Sequence, residues 1–149
     1  MGLDMYLTKK NYIGAKFEHN HITGKIELFQ DGKPININLN RVTYIIEEIG
    51  YWCKANAIHG WFVENVQDGN NDCNEYYVSD EQIQELLNIV NKILENNSLA
   101  EELLSTQTGF FFGETDYDEY YFEELENTRK ILENALKEED GEIYYQASW

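Results

Sequence analysis

The sequence predicts an α+β fold, a single domain with a mainly antiparallel sheet and helices packed on one face of that sheet. Apolar residues alternate at period two near both ends of the chain, as they do in half-buried strands. Between those ends apolar residues recur at helical spacing, and strands followed by mixed helices and strands favour this fold class. The 149 residues suit one domain, 1–149, and no repeat, linker or low-complexity segment divides them.

The first 40 residues are predicted to form strands. Segment 1–7 alternates cleanly, and segments 15–19, 25–30 and 35–39 continue the pattern. Asp31-Gly32 is a hairpin turn signal that joins the last two of these strands.

Helices and two short strands follow. Capping boxes are predicted where an N-cap residue precedes a Gln or Glu by three positions, and they begin at Ser79, Ser98 and Asp116. The predicted helices span 40–49, 55–66, 79–94, 98–104 and 117–138. The predicted short strands span 75–78 and 109–113, and the composition of 68–72 indicates a loop.

The last eight residues, 142–149, alternate again and predict a terminal strand. This strand is rich in aromatic residues. If it lay at the edge of the sheet, it would offer unpaired backbone groups to a second copy of the chain. A homo-oligomer is therefore one hypothesis.

Charge is distributed unevenly along the chain. Residues 1–60 hold 6 acids and 7 bases, a net of +1, whereas residues 61–149 hold 22 acids and 4 bases, a net of −18. Phosphate binding depends on Lys and Arg, so direct binding of nucleic acid or of an anionic membrane is not expected. No apolar run approaches the roughly 20 residues of a membrane span, and Cys53 and Cys73 form no CxxC pair. We expect a cytoplasmic protein with reduced thiols.

Aromatic and polar residues are concentrated in one stretch of ten residues. It contains Trp52, Lys54, Asn56, His59 and Trp61. Aromatic surfaces beside cationic and amide groups suit a base, a nucleotide or a peptide. The alternative is that most of these rings belong to the core. Lys54, Asn56 and His59 are harder to assign to a core, so they are the better pocket candidates.

Carboxylates crowd the start of the last predicted helix, within an acidic surface predicted over 114–126 and 133–142. The predicted partner-binding residues there are Asp116, Asp118, Glu119, Glu123 and Glu124. Acidic residues at a helix start also stabilise the helix through its dipole, so a purely structural role is the alternative.

Metal binding is weakly indicated, and no cofactor is predicted. His19 and His21 provide half of a zinc site if one strand carries both, and no nearby Cys or acid completes it. Segment 68–72 begins like a calcium loop, but Cys73 stands where Gly is needed and Ser79 where the bidentate Glu belongs.

Four segments together resemble a known family. They are MGLDMYL at the start, the run from Gly50 to Val63, GFFFGETDYDEYY from Gly109, and YYQASW at the end. They are similar to a family of small proteins common in bacteriophages and prophages of low-GC bacteria, over nearly the whole chain. The resemblance brings no established activity and implies an accessory role, such as blocking a host defence. Related sequences have an Arg at the position of Cys53, so a ligand that depends on that Arg is not expected here.

Three functions follow as expectations. The first is a non-enzymatic phage accessory protein whose acidic surface binds and inhibits a host protein with a basic surface. The second is a small-molecule binder that sequesters a nucleotide signal near Lys54 and His59. The third, a metal-assisted enzyme, has the least support because the sequence contains no nucleophile elbow, phosphate-binding loop or dinucleotide fingerprint.

Overall fold

Alternation along the first strand sets the two faces of the sheet, because Leu3, Met5 and Leu7 are fully buried and the residues between them are only partly so. The computed structural model describes residues 2–14, 19, 25–109 and 112–149. Its strands are β1 (Asp4–Tyr12), β2 (Leu28–Gln30), β3 (Lys33–Ile35), β4 (Tyr44–Cys53), β5 (Tyr76–Val78) and β6 (Glu142–Ser148). Its helices are α1 (Asn56–Asn65), α2 (Asp80–Glu95), α3 (Ala100–Leu103) and α4 (Glu119–Ala135), with 3₁₀ turns at Leu39–Arg41 and Asn97–Leu99.

The main sheet has four antiparallel strands in the order β4, β1, β6, β5, and β2 and β3 form a separate hairpin. The hairpin turns at Asp31-Gly32, as predicted, with positive φ at both residues, which is the geometry of a type I′ turn. The terminal strand β6 is confirmed, but the prediction that it is an edge is wrong. It lies between β1 and β5, and β5 pairs with Ile143, Tyr144 and Tyr145 on the side away from β1.

The helices cover one face of the main sheet, and the predicted α+β class with a mainly antiparallel sheet is confirmed. Tyr145 of β6 stacks on Phe62 of α1, with ring centroids 3.9 Å apart. Trp52 of β4 donates from Nε1 to Oγ1 of Thr128 on α4 at 2.9 Å. Burying rings of this size contributes on the order of 2 kcal/mol each.

Local signals set the ends of the two long helices. The capping box at Ser79 is confirmed, since Ser79 and Gln82 bond reciprocally to each other's backbone N–H. The other two boxes are wrong. Asp118, rather than Asp116, caps α4 by accepting from the Tyr121 N–H at 3.1 Å, and α3 has no side-chain cap.

The predicted helix 40–49 is wrong, because the residues from Tyr44 onward form strand β4. Its β-branched residues suit a strand better than a helix, and pairing with β1 decides the outcome. A register shift opposite Leu7 and Thr8 falls at Ile49 and disturbs the alternation of β4 at that point. Gly50 does not end a helix but lies inside β4, where a Cβ would stand 2.4 Å from Cγ2 of Ile131 on α4.

Several short elements also differ from prediction. Strand 25–30 is reduced to β2, and 35–39 gives way to the end of β3 and a 3₁₀ turn. In 109–113, Gly109, Phe112 and Gly113 are not in a strand, and Phe110 and Phe111 lie outside the described residues. The predicted strand 15–19 lies outside them as well, except for His19.

Candidate functional site

A cavity of about 440 Å³ opens between the start of α1, the segment 105–118 and the start of α4. Its volume falls within the range of about 300–1,000 Å³ that is usual for small-molecule sites. Apolar contacts come from Ala55, Ala57, Ile58 and Leu125. The polar and aromatic lining consists of Lys54, Asn56, Thr106, Glu114, Asp116, Asp118, Tyr120, Tyr121 and Glu124.

Asn56, predicted to bind a ligand, holds the wall of this cavity in place. Its amide Nδ2 donates to the carbonyl oxygens of Phe112 and Glu114, each at 2.9 Å. Its Oδ1 accepts from the Gln107 N–H at 2.8 Å. The side chain is buried, and these three bonds tie the irregular segment 105–118 to the first turn of α1. Asn56 lines the site, but its polar atoms are already engaged.

Lys54 stands at the mouth of the cavity in a left-handed backbone conformation, with φ of 58°. A non-glycine residue in this region costs roughly 1 kcal/mol or more, and such residues are enriched at functional sites. The backbone is held by a bond from the Lys54 N–H to Leu3 O at 2.7 Å. Gly113 lies so close that a Cβ there would stand 3.2 Å from Cβ of Lys54, so the cavity wall needs glycine at this point.

Carboxylates dominate the charge of the cavity. Four of them, together with the Lys54 ammonium, give the lining a formal net charge of −3, and they are Glu114, Asp116, Asp118 and Glu124. Asp118 is partly engaged as the cap of α4. A lining with this charge disfavours anionic ligands and attracts cations.

Glu124 is the least satisfied of these groups. Its Oε2 is buried and has no hydrogen-bond partner. Burial, and after it the charge of Glu123, raises the pKa of Glu124. Tyr120 donates to Cys53 O at 3.3 Å, and its pKa is raised by burial and then by the charge of Glu124. Glu124 therefore forms no ion pair with any of the described residues that would balance its ionised carboxylate.

The remaining predicted partner-binding residues do not reach the cavity. Glu119 and Glu123 line a shallow groove on α4, beside Leu94 of α2. The predicted acidic cluster is thus divided, with Asp116, Asp118 and Glu124 at the cavity and the other two on another side of the helix.

The other three predicted ligand-binding residues lie in the core. Trp52 and Trp61 are buried. His59 is buried as well, with Nδ1 2.8 Å from the Tyr145 hydroxyl and Nε2 2.9 Å from Asn71 Oδ1. Because Asn71 Oδ1 accepts from Nε2, Nδ1 is the nitrogen that accepts from Tyr145. Burial lowers the pKa of His59, opposed by the bond to Asn71, so the ring is held neutral.

Metal-ligating groups are not brought together in the part of the chain that the structure describes, where no three His, Cys, Asp or Glu side chains could hold an ion. His21 lies outside that part, so the predicted histidine pair is not placed. In the loop at 68–72, Asp72 is occupied by Asn74 N–H at 2.9 Å and Tyr76 O–H at 3.0 Å. Cys53 and Cys73 are free and exposed.

Comparison with known proteins adds no relative, since no family model, no curated protein and no solved structure matches this chain. Among the described residues, no helix is long and apolar enough to cross a membrane.

Sequence reasoning overlooked Thr106 and the close fit of Gly113 against Lys54. Neither carries a local signal, because the two sides of the cavity are about 50 residues apart in the chain. The structural feature that distinguishes Lys54 at the cavity is its positive φ, which a sequence does not reveal.

Proposed function

We propose that this chain is a non-enzymatic binding protein that accepts a cationic group of its partner in the cavity beside Glu124. The observation that carries the proposal is the buried, unpartnered Oε2 of Glu124 in a cavity whose lining has a net charge of −3. A cation placed there supplies the counter-charge that this carboxylate lacks. The described residues of the lining offer no comparable set of donors for an anion, since Lys54 is the one base among them.

The shape of the site suits a Lys or Arg side chain of a partner protein. Ala55, Ala57, Ile58 and Leu125 provide apolar contact for the methylene groups of such a side chain. Tyr120 also lines the cavity, and the face of an aromatic ring attracts a charged end of this kind. We therefore propose a partner with a basic surface, and, in the setting that the phage-family resemblance implies, a host protein that is inhibited by this contact.

Long-range electrostatics support the same kind of partner. Residues 61–149 carry a net charge of −18, which would steer a basic surface toward the cavity from a distance. Such steering weakens with salt, because charges separated by more than about 8 Å are screened at physiological ionic strength.

A matched pair of variants on α4 separates the cavity from general acidity. Glu124→Gln removes the unpartnered carboxylate, and Glu133→Gln removes the same charge from an exposed position on the same helix. Binding of a fluorescein-labelled octa-lysine peptide, followed by anisotropy, should weaken at least about fivefold in Glu124→Gln and less than about twofold in Glu133→Gln. Equal effects would assign the binding to surface charge alone, and the proposed cavity would be rejected.

The second candidate is a small-molecule binder, favoured by the volume of the cavity. The charge of the lining indicates an organic amine rather than the nucleotide expected from the aromatic residues, of which Trp52 and Trp61 are buried. A rise in melting temperature with spermidine but not with nucleotides, abolished by Glu124→Gln, would support it. No observation among the described residues favours the metal-assisted enzyme, which stays a prediction.

A further inference from the structure

Residues 25–46, here called the arm, expose a concentration of apolar side chains. Every residue of the arm is exposed except Val42, which is half-buried. Nine of its large apolar side chains are between 37% and 64% exposed, with Phe29 and Ile46 at 64% and 57%. These residues belong to the β2–β3 hairpin, the 3₁₀ turn and the first part of β4.

The hairpin has no partner strand in the main sheet among the described residues. β2 and β3 pair with each other and not with the four-stranded sheet, and each has three residues. An isolated two-stranded hairpin is marginally stable in water and normally needs a third strand or a packed face. Within the described part of the chain, the arm therefore lacks the contacts that usually stabilise such a hairpin.

The total exposed apolar area is close to what one partner contributes to a protein interface. At roughly 180 Å² for each large apolar side chain, the nine exposed fractions amount to about 700 Å². This area is spread over both faces of the arm, because neighbours such as Leu28 and Phe29 point to opposite sides of their strand. Each partner in a stable complex contributes about 800 Å².

Charge identifies the occupant as a second copy of the chain. The arm holds three bases and two acids, a net of +1, so it does not complement the basic partner proposed for the cavity. Two copies repel each other through their acidic halves, each with a net charge of −18, and the near-neutral arm is where they can approach. Among the described residues, β4 is also an edge strand with no partner on its outer side.

We infer that the arm is a homodimerisation surface, in which two copies bury their apolar arms against each other in a symmetric interface. The arm is the same patch on both copies, as a two-fold interface requires. This inference does not depend on the proposed cavity function. The sequence predicted self-association through the terminal strand, but β6 lies inside the sheet. The arm takes its place as the region of self-association.

The test is the mass of the full chain in solution, by sedimentation equilibrium from about 1 to 200 µM. We expect a dimer with twice the 17.5 kDa mass of the chain. Its dissociation constant should fall as salt rises, because salt screens the repulsion between the acidic halves. Phe29→Glu and Ile46→Glu should each weaken the dimer by at least about 100-fold, since each would bury a carboxylate without a counter-charge.

Tyr77→Glu is the matched control. Tyr77 is 56% exposed, much like Ile46, but it lies on β5 at the opposite edge of the main sheet. It should leave the dimer unchanged, and far-ultraviolet circular dichroism should show all three variants folded. A wild-type chain that stays monomeric at the highest concentration would overturn the inference. A dimer broken by Tyr77→Glu but not by the arm variants would overturn it as well.

Discussion

Asn56 offers the sharpest test of how the cavity is built, because one side chain holds its wall. Replacing it by Ala removes both donor bonds to Phe112 O and Glu114 O and the acceptor bond from Gln107 N–H. No other hydrogen bond of the described residues links α1 to these three backbone groups. The variant therefore removes the hydrogen bonds between Asn56 and these backbone groups, while the packing of Phe112 on His59 stays in place.

The expected loss can be worked out bond by bond. Each intramolecular hydrogen bond contributes about 0.5–1.5 kcal/mol net, so three give about 1.5–4.5 kcal/mol, less some recovery when water reaches the freed carbonyls. In a domain of this size each kcal/mol shifts the melting temperature by about 2–4 °C, so the expected fall is about 3–18 °C. Asn56→Asp should cost more near pH 7. A carboxylate would then face two carbonyl oxygens, and this repulsion raises its pKa, so the extra loss shrinks as the pH falls.

Urea unfolding measures the free energy, and hydrogen exchange followed by mass spectrometry locates the change. Asn56→Ala should speed exchange in peptides from 105–118. Exchange in peptides from α2 should change only as much as the fall in the free energy of global unfolding requires. Asn127→Ala, an exposed position on α4, is the control and should stay within about 0.5 kcal/mol of wild type. If Asn56→Ala also stays within that range, with unchanged exchange, the assignment of Asn56 to the cavity wall is wrong.

Three further predictions concern single groups. Glu124→Gln should raise the free energy of unfolding at pH 7 by on the order of 1 kcal/mol, because the raised pKa means that the ionised form destabilises the native state. This gain should fade as acid protonates the wild-type carboxyl, and a gain independent of pH in urea titrations would contradict the argument. Ser79→Ala should lose about 1 kcal/mol in thermal unfolding through its capping box, and no loss would mean that α2 needs no cap. His59 has a lowered pKa in the native state, so stability should fall as the pH drops below about 6.5, where the unfolded chain takes up the proton first. His59→Gln should flatten that slope between about pH 7.5 and 5.5, and an unchanged slope would exclude His59 as its source.

Sequence reasoning succeeded where the structural signal is local. Ser79 and Gln82 are three residues apart and begin a helix with a long apolar stripe, so α2 needs no distant information. The buried side chains of α4, including Leu125 and Leu132, follow their spacing in the same way.

It failed where a distant partner decides the structure. Ile45, Ile46 and Ile49 fit a helical stripe, yet Ile45 and Ile46 are exposed and the segment is fixed by pairing with β1. An edge strand with a register shift keeps neither the alternation nor the burial that identify strands in a sequence.

The same reason limits prediction of the cavity. Lys54 and Asn56 were chosen for their chemistry, and both do line it, but Asn56 is engaged with backbone groups about 50 residues away. Trp52 and His59 were grouped with them by proximity in sequence. Trp52 on β4 and His59 on α1 instead point into the core, because neighbours along an element face different sides.

The cavity and the arm can be tested separately because they lie at opposite ends of the paired strands β1 and β4. Lys54 N–H bonds to Leu3 O just before β1 begins, whereas Tyr44 of the arm pairs with Tyr12 at the end of β1. Nine strand residues at about 3.3 Å each separate the ends by roughly 30 Å, so contact through the arm leaves the cavity open. Phe29→Glu should therefore keep its affinity for the octa-lysine peptide within about twofold, and Glu124→Gln should sediment as the wild type does. Loss of peptide binding in Phe29→Glu would show that the arm and the cavity act as one site. The conclusion that they are independent would then be wrong.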